Sequence, residues 1–173
     1  MRKTTTLALI ATAVVALGCG SGATDKASSS GGAEAGDKAA TTAKIGQPAR
    51  DGKFEFTVKS SKCGVAKIGS EPLAQKAQGQ FCLVTLNVKN IGKEAQMFDG
   101  SSQKAYAADG TEYSADSGAA IYANKNADTF LNDINPGNQV TGVVVFDIPK
   151  NAKLAKLELH DSMFSGGVDV ALS

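Results

Sequence analysis

An all-β fold, an immunoglobulin-like antiparallel β-sandwich of about seven or eight strands, is what this 173-residue sequence predicts. Three observations carry that prediction. From Ile45 onward apolar residues recur with a period of two, not 3.6. The alternating runs are short and separated by turn residues at spacings that suit such a sandwich. Neither strand–helix–strand alternation nor an internal repeat is present, which argues against a parallel sheet.

Before the first strand come two segments of different character. Arg2 and Lys3 precede an apolar run over residues 7–17, too short for the ~20 residues that span a bilayer. Ala16-Leu17-Gly18-Cys19 follows and resembles a bacterial lipobox, with Ala16 where leucine is the commonest choice. Residues 1–18 are therefore expected to be a lipoprotein signal peptide, and Cys19 the acylated first residue of the mature chain. Residues 20–42 hold no Val, Ile, Leu or aromatic residue. Such a stretch cannot bury apolar surface, so 19–42 is expected to be a disordered tether. As a flexible coil it reaches about 26 Å on average.

The domain is expected over 43–173. Phe54, Phe56 and Val58 alternate with Lys53, Glu55, Thr57 and Lys59 in the first long strand. Cys82, Val84, Leu86 and Val88 form the apolar face of the second, which ends at Asn90-Ile91-Gly92. Asp109-Gly110 sits between two short runs and predicts a hairpin, because that turn needs a positive φ. Residues 115–131 are ambiguous, a loop with one helical turn. Asn135-Pro136-Gly137 puts Pro and Gly where a turn favours them. Val140, Gly142, Val144, Phe146 and Ile148 then share one strand face, followed by Leu157/Leu159 and by Val168/Val170/Leu172.

Residues 45–148 resemble the telokin-like, immunoglobulin-like domain of unknown function (DUF4352 type) of Gram-positive bacterial lipoproteins. A secreted mycobacterial antigen shares that sandwich. The residues carrying the resemblance are Ile45-Gly46, Asp51-Gly52, the Phe54–Val58 strand, the Cys82 strand ending in Asn90-Ile91-Gly92, the Asp109-Gly110 hairpin, and Ile134-Asn135-Pro136-Gly137 leading into the 140–148 strand. The resemblance implies an extracytoplasmic sandwich and implies no reaction, since the family brings no catalytic residues.

With Cys19 acylated, Cys63 and Cys82 remain as an even pair, which in an exported chain reads as a disulfide. The competing thiol–metal site lacks further ligands, as His160 is the single histidine. His160 next to Asp161 is expected to be an exposed surface histidine and not a catalytic base. Met97, His160 and Met163 are the candidate copper ligands of a metal-carrier reading, too few and too scattered to favour it. Asp109 and Glu112 suggest calcium, but the hairpin explains Asp109 without a metal. No metal and no cofactor is expected.

The 18 basic and 17 acidic residues become 16 against 17, a net charge of −1, once Arg2 and Lys3 leave with the signal. That balance does not point to nucleic acid. One feature points to a partner. The strand 141–146 is apolar on both faces, leaving Val143 and Val145 outside, and Phe81 and Leu83 are similarly out of phase. If exposed, these four form a contact surface; the alternative is that 115–131 covers them, with the 124–133 loop the next candidate. Taken together, the sequence predicts a non-enzymatic lipoprotein on the outer face of the cell membrane. It would hold the lipid bilayer through acylated Cys19 and bind an unknown envelope protein or glycan. A metal or small-ligand carrier, and less favourably an envelope hydrolase, are the alternatives.

Overall fold

The structure is a computed structural model that describes residues 42–173 apart from Lys125, Ala127 and Asp128. Cys19, the signal segment and all of the tether but Thr42 lie outside the described residues. The described residues fall within one compact unit, Lys38–Ser173.

In chain order the elements are β1 (Ala43–Lys44), β2 (Pro48–Asp51), β3 (Phe54–Ile68), β4 (Gln75–Asn90), β5 (Gln96–Met97), β6 (Lys104–Ala107), β7 (Glu112–Ser114), α1 (Ser117–Ala123), β8 (Asp133–Ile134), β9 (Gln139–Ile148), β10 (Leu154–Leu159) and β11 (Val168–Ala171). They make two main sheets, ordered β1-β11-β10-β6-β7 and β2-β3-β4-β9, plus the small pair β5-β8. This is the sandwich the alternation predicts. Pairing is antiparallel except between β1 and β11, which run parallel.

The inner faces are the residues whose period marked them. Phe54, Phe56 and Val58 of β3, Val84, Leu86 and Val88 of β4, and Val144, Phe146 and Ile148 of β9 meet Ala105, Leu157, Leu159 and Val170 of the other sheet. At ~1.5–3 kcal/mol per fully buried large apolar side chain, this core dominates the stability of the fold. Phe98 inserts among the rings of Phe54, Phe56 and Phe130 at centroid distances of 6.1, 5.9 and 4.7 Å.

Turn chemistry closes the sheets where expected. Asn138 N–H donates to the Asn135 carbonyl at 3.0 Å with Gly137 at φ +80°, a type II turn with Pro136 in its favoured place. The Asn90 side chain is fully buried. Its Nδ2 donates to the carbonyls of Glu94 and Ile134 at 2.7 and 2.6 Å, and its Oδ1 accepts from Gly92 N–H at 2.8 Å. It thereby fixes the end of β4 against β8.

Cys63 and Cys82 are joined by a disulfide within one sheet. It staples β3 to β4 where the register slips between Lys62 and Val65.

Candidate binding crevice

The second apolar face of β9 and β4 is covered, not free. Phe81 and Val145 are 0% exposed, and with Ile68 and Ala119 they form a second small core. Leu83 and Val143 are half-buried against it, as are Ala120 and Ala123 of α1. The condition on which Phe81, Leu83, Val143 and Val145 could form a contact surface is therefore not met, because α1 lies over them. The helix is seated by its caps. The Asp116 carboxylate accepts from Ala119 N–H at 2.8 Å, and Asp116 N–H donates to the Val145 carbonyl at 2.7 Å.

At the other end of α1, Asn124 behaves like a length of neighbouring strand. Its Oδ1 accepts from Val143 N–H at 2.7 Å, and its Nδ2 donates to the Val143 carbonyl at 2.9 Å. These bonds occupy the backbone of β9, the edge strand of its sheet.

Beside this cover lies a half-open crevice of about 350 Å³. Phe98, Phe130, Val143 and Val144 line it together with Ala120, and Met97, Ile121 and Leu131 stand exposed around it. Phe130 reaches this position because Gly142 leaves room in β9. A Cβ there would come within 2.5 Å of the Phe130 ring.

The carboxylates and the amide of the crevice have local partners. Asp116 and Asn124 hold the helix ends as described. The Asp99 carboxylate accepts from Ser101 N–H and from the hydroxyls of Ser101 and Ser102. Burial pushes the Asp99 carboxyl up, but these hydrogen bonds outweigh it and hold it below its ordinary value. A cavity of this size and lining suits an apolar group.

The remaining candidate residues are engaged elsewhere. The expected exposed histidine is buried: His160 is 8% exposed, its Nε2 lies 2.8 Å from Glu158 Oε1, and its Nδ1 lies 3.4 Å from Ser165 Oγ. Serine, histidine and carboxylate are thus neighbours, but the Ser165 hydroxyl donates to the Ser162 carbonyl at 2.9 Å, and Gly167 packs on the imidazole. The trio braces a turn. Gln103, also buried, adds two bonds to the His160 backbone at 2.9 and 3.0 Å. With both imidazole nitrogens facing protein atoms, His160 is not presented to a metal beside Met97 and Met163. Asp109 accepts from Thr111 N–H in its hairpin. Glu112 pairs with Lys104 and accepts from the Tyr106 hydroxyl. Desolvation, and then that bond, push the Tyr106 phenol up to about 12. In the 124–133 loop, Lys125, Ala127 and Asp128 lie outside the described residues, whereas Asn124, Phe130 and Leu131 belong to the crevice.

Fold and crevice define a β-sandwich domain with an apolar recess at one sheet edge. The chain belongs to the family described as domain of unknown function (DUF4352), whose model matches residues 43–170. It is 31% identical over 118 residues to the uncharacterized protein YxkC of Bacillus subtilis, covering 64% of this chain and 65% of that one. The match thus spans slightly less than two thirds of the relative's length. Among solved structures, the yjhA protein of Bacillus subtilis is similar with a TM-score of 0.54 at 15% identity, over 76% of this chain and 99% of that one. MPT63, a secreted protein from Mycobacterium tuberculosis, is similar with a TM-score of 0.52 at 21% identity, over 75% and 92%. A putative lipoprotein of Bacillus subtilis, ycdA, is similar with a TM-score of 0.50 at 16% identity, over 72% of this chain and 38% of that one. These likenesses show the fold.

Proposed function

We propose that the chain is a lipid-anchored, extracytoplasmic, non-catalytic binding domain whose ligand is an uncharged apolar small molecule held in the crevice. The observation that carries the reading is the crevice itself: about 350 Å³, walled by Phe98, Phe130, Val143 and Val144, with exposed Ile121 and Leu131 at its mouth. That volume lies within the range of small-molecule sites. A glycan fits the lining poorly, since sugar hydroxyls need free polar partners and Asp99, Asp116 and Asn124 already hold the local backbone. Support for an extracytoplasmic location comes from the lipobox at Cys19, from the disulfide, which belongs to oxidising compartments, and from likeness to one secreted protein and one putative lipoprotein.

The test is titration with a fluorescent apolar probe, competed by uncharged hydrocarbon-chain compounds. Saturable binding is expected. Leu131→Asp, at an exposed rim position, should weaken it at least tenfold with the melting temperature unchanged. Absence of saturable uptake by the wild type, or equal affinity in the variant, sinks the crevice as a site.

A further inference from the structure

We propose that the loop joining β10 to β11 is a membrane-contacting tip that seats Met163 and Phe164 in the interface of the bilayer holding the anchor. The inference rests on the anchored reading above. It does not depend on the crevice.

Between His160 and Val168 every residue is polar or glycine except these two. Phe164 is 91% exposed and Met163 69%. They occupy the two centres of a turn, in which Ser165 N–H and the Ser165 hydroxyl donate to the Ser162 carbonyl at 3.0 and 2.9 Å. Turn centres ordinarily carry Gly, Pro, Asn, Asp or Ser, so an adjacent Met and Phe at such a tip find no explanation in the turn. Nor does the loop use them for packing, because its base is fixed by other groups. The imidazole of His160 lies between Glu158 and Ser165, and Gly167, at φ +72°, has no room for a Cβ against that ring. Asp161 N–H donates to Asp51 Oδ2 at 2.6 Å, tying the loop to the β2–β3 turn. The apolar pair is carried outward on a braced support.

The second observation is where the tether joins. β1 runs parallel to β11, with Ala43 opposite Val170 and Lys44 opposite Ala171. Because the two strands are parallel, β1 begins on the side of β11 where the β10–β11 loop ends. The first described strand therefore starts toward the end of the sheet from which Met163 and Phe164 project. On the anchored reading this is the end of the sheet by which the domain is attached. The opposite end is the β3–β4 hairpin with exposed Leu73, one 15-residue strand away, or roughly 50 Å at about 3.3 Å per residue. A thioether and a phenyl ring on a polar stalk suit the boundary between headgroups and acyl chains, where apolar side chains leave water without crossing the membrane.

The chain contains no tryptophan, so one introduced indole reports alone. The acylated full chain carrying Phe164→Trp, or Met163→Trp as a second variant, is reconstituted into phosphatidylcholine vesicles with and without brominated acyl chains. Leu73→Trp is the control. At position 164 or 163, emission should shift to shorter wavelength on vesicle binding and be quenched by the brominated lipid, in high salt as in low; at position 73 neither should occur. Co-sedimentation with the vesicles reads the anchor separately. Chain that sediments while the indole at 164 and 163 stays water-exposed overturns the tip and leaves the anchor standing. Chain that stays in the supernatant overturns both. A concentration-dependent shift without vesicles assigns the tip to a second copy, and so also overturns the bilayer as its partner.

Discussion

Asn124 shows how much one polar side chain can decide. It supplies donor and acceptor to Val143 at 2.9 and 2.7 Å and a further bond to the Ala120 carbonyl at 2.7 Å. Asn124→Ala leaves the Val143 N–H and C=O without these partners, and about 1–3 kcal/mol of stability should be lost in urea unfolding. An unchanged unfolding midpoint would show that water replaces the amide fully. Asp99 makes a pH-dependent contribution. Its carboxyl sits below the ordinary value when folded, so its stabilisation is complete above the unfolded-state pKa and fades as pH falls through the folded one. The stability gap between the wild type and Asp99→Asn should therefore narrow on acidification. A gap that widens toward acid would contradict the direction of the shift. Asn124 could not have been singled out in the sequence, where it opens a polar run whose bonds to β9 span 19 positions. Gly142 was visible as a glycine inside an apolar strand, a mark of close approach, but nothing named Phe130 as the ring it admits.

At the scale of elements, legibility followed the hydrogen-bond register. The Phe54–Val58 third of β3 alternates cleanly and was readable. The rest of the strand, up to Ile68, is not, because register shifts at Val58/Ser60, Lys62/Val65 and Val65/Lys67 break the period of two. The strands of two residues, β1, β5 and β8, are too short to have a period. α1 was foreseen as one helical turn in an ambiguous segment, and its role as cover was the alternative to an exposed sheet face. The crevice escaped notice because its walls come from four separate segments. The disulfide belongs to this scale too, since it bridges β3 and β4 across their irregular stretch. Its 19-residue separation gives roughly 3 kcal/mol in the chain-entropy model. Reductant should shift the urea midpoint of the wild type accordingly and leave Cys63→Ala/Cys82→Ala unmoved. Equal sensitivity of the two chains would mean that the bond is not formed.

For the whole molecule, the division into signal, tether and sandwich rests on sequence for its first two parts, as Cys19 lies outside the described residues. Fatty-acid labelling should tag the wild type, and Cys19→Ala should lose both the label and the membrane fraction. Equal labelling of the variant would remove the anchor. Two acyl chains suffice for stable attachment, and such attachment would change what the β9 edge has to withstand. If copies are anchored on one surface as proposed, by tethers with the expected reach of about 26 Å, they meet at effective concentrations far above those of dilute solution. Under that crowding an uncovered edge strand is a polymerisation template. The amide of Asn124 and the backbone N–H of Asp116 occupy β9 at Val143 and Val145, so the bonds that seat a seven-residue helix also remove those positions of the β9 edge from pairing with another copy.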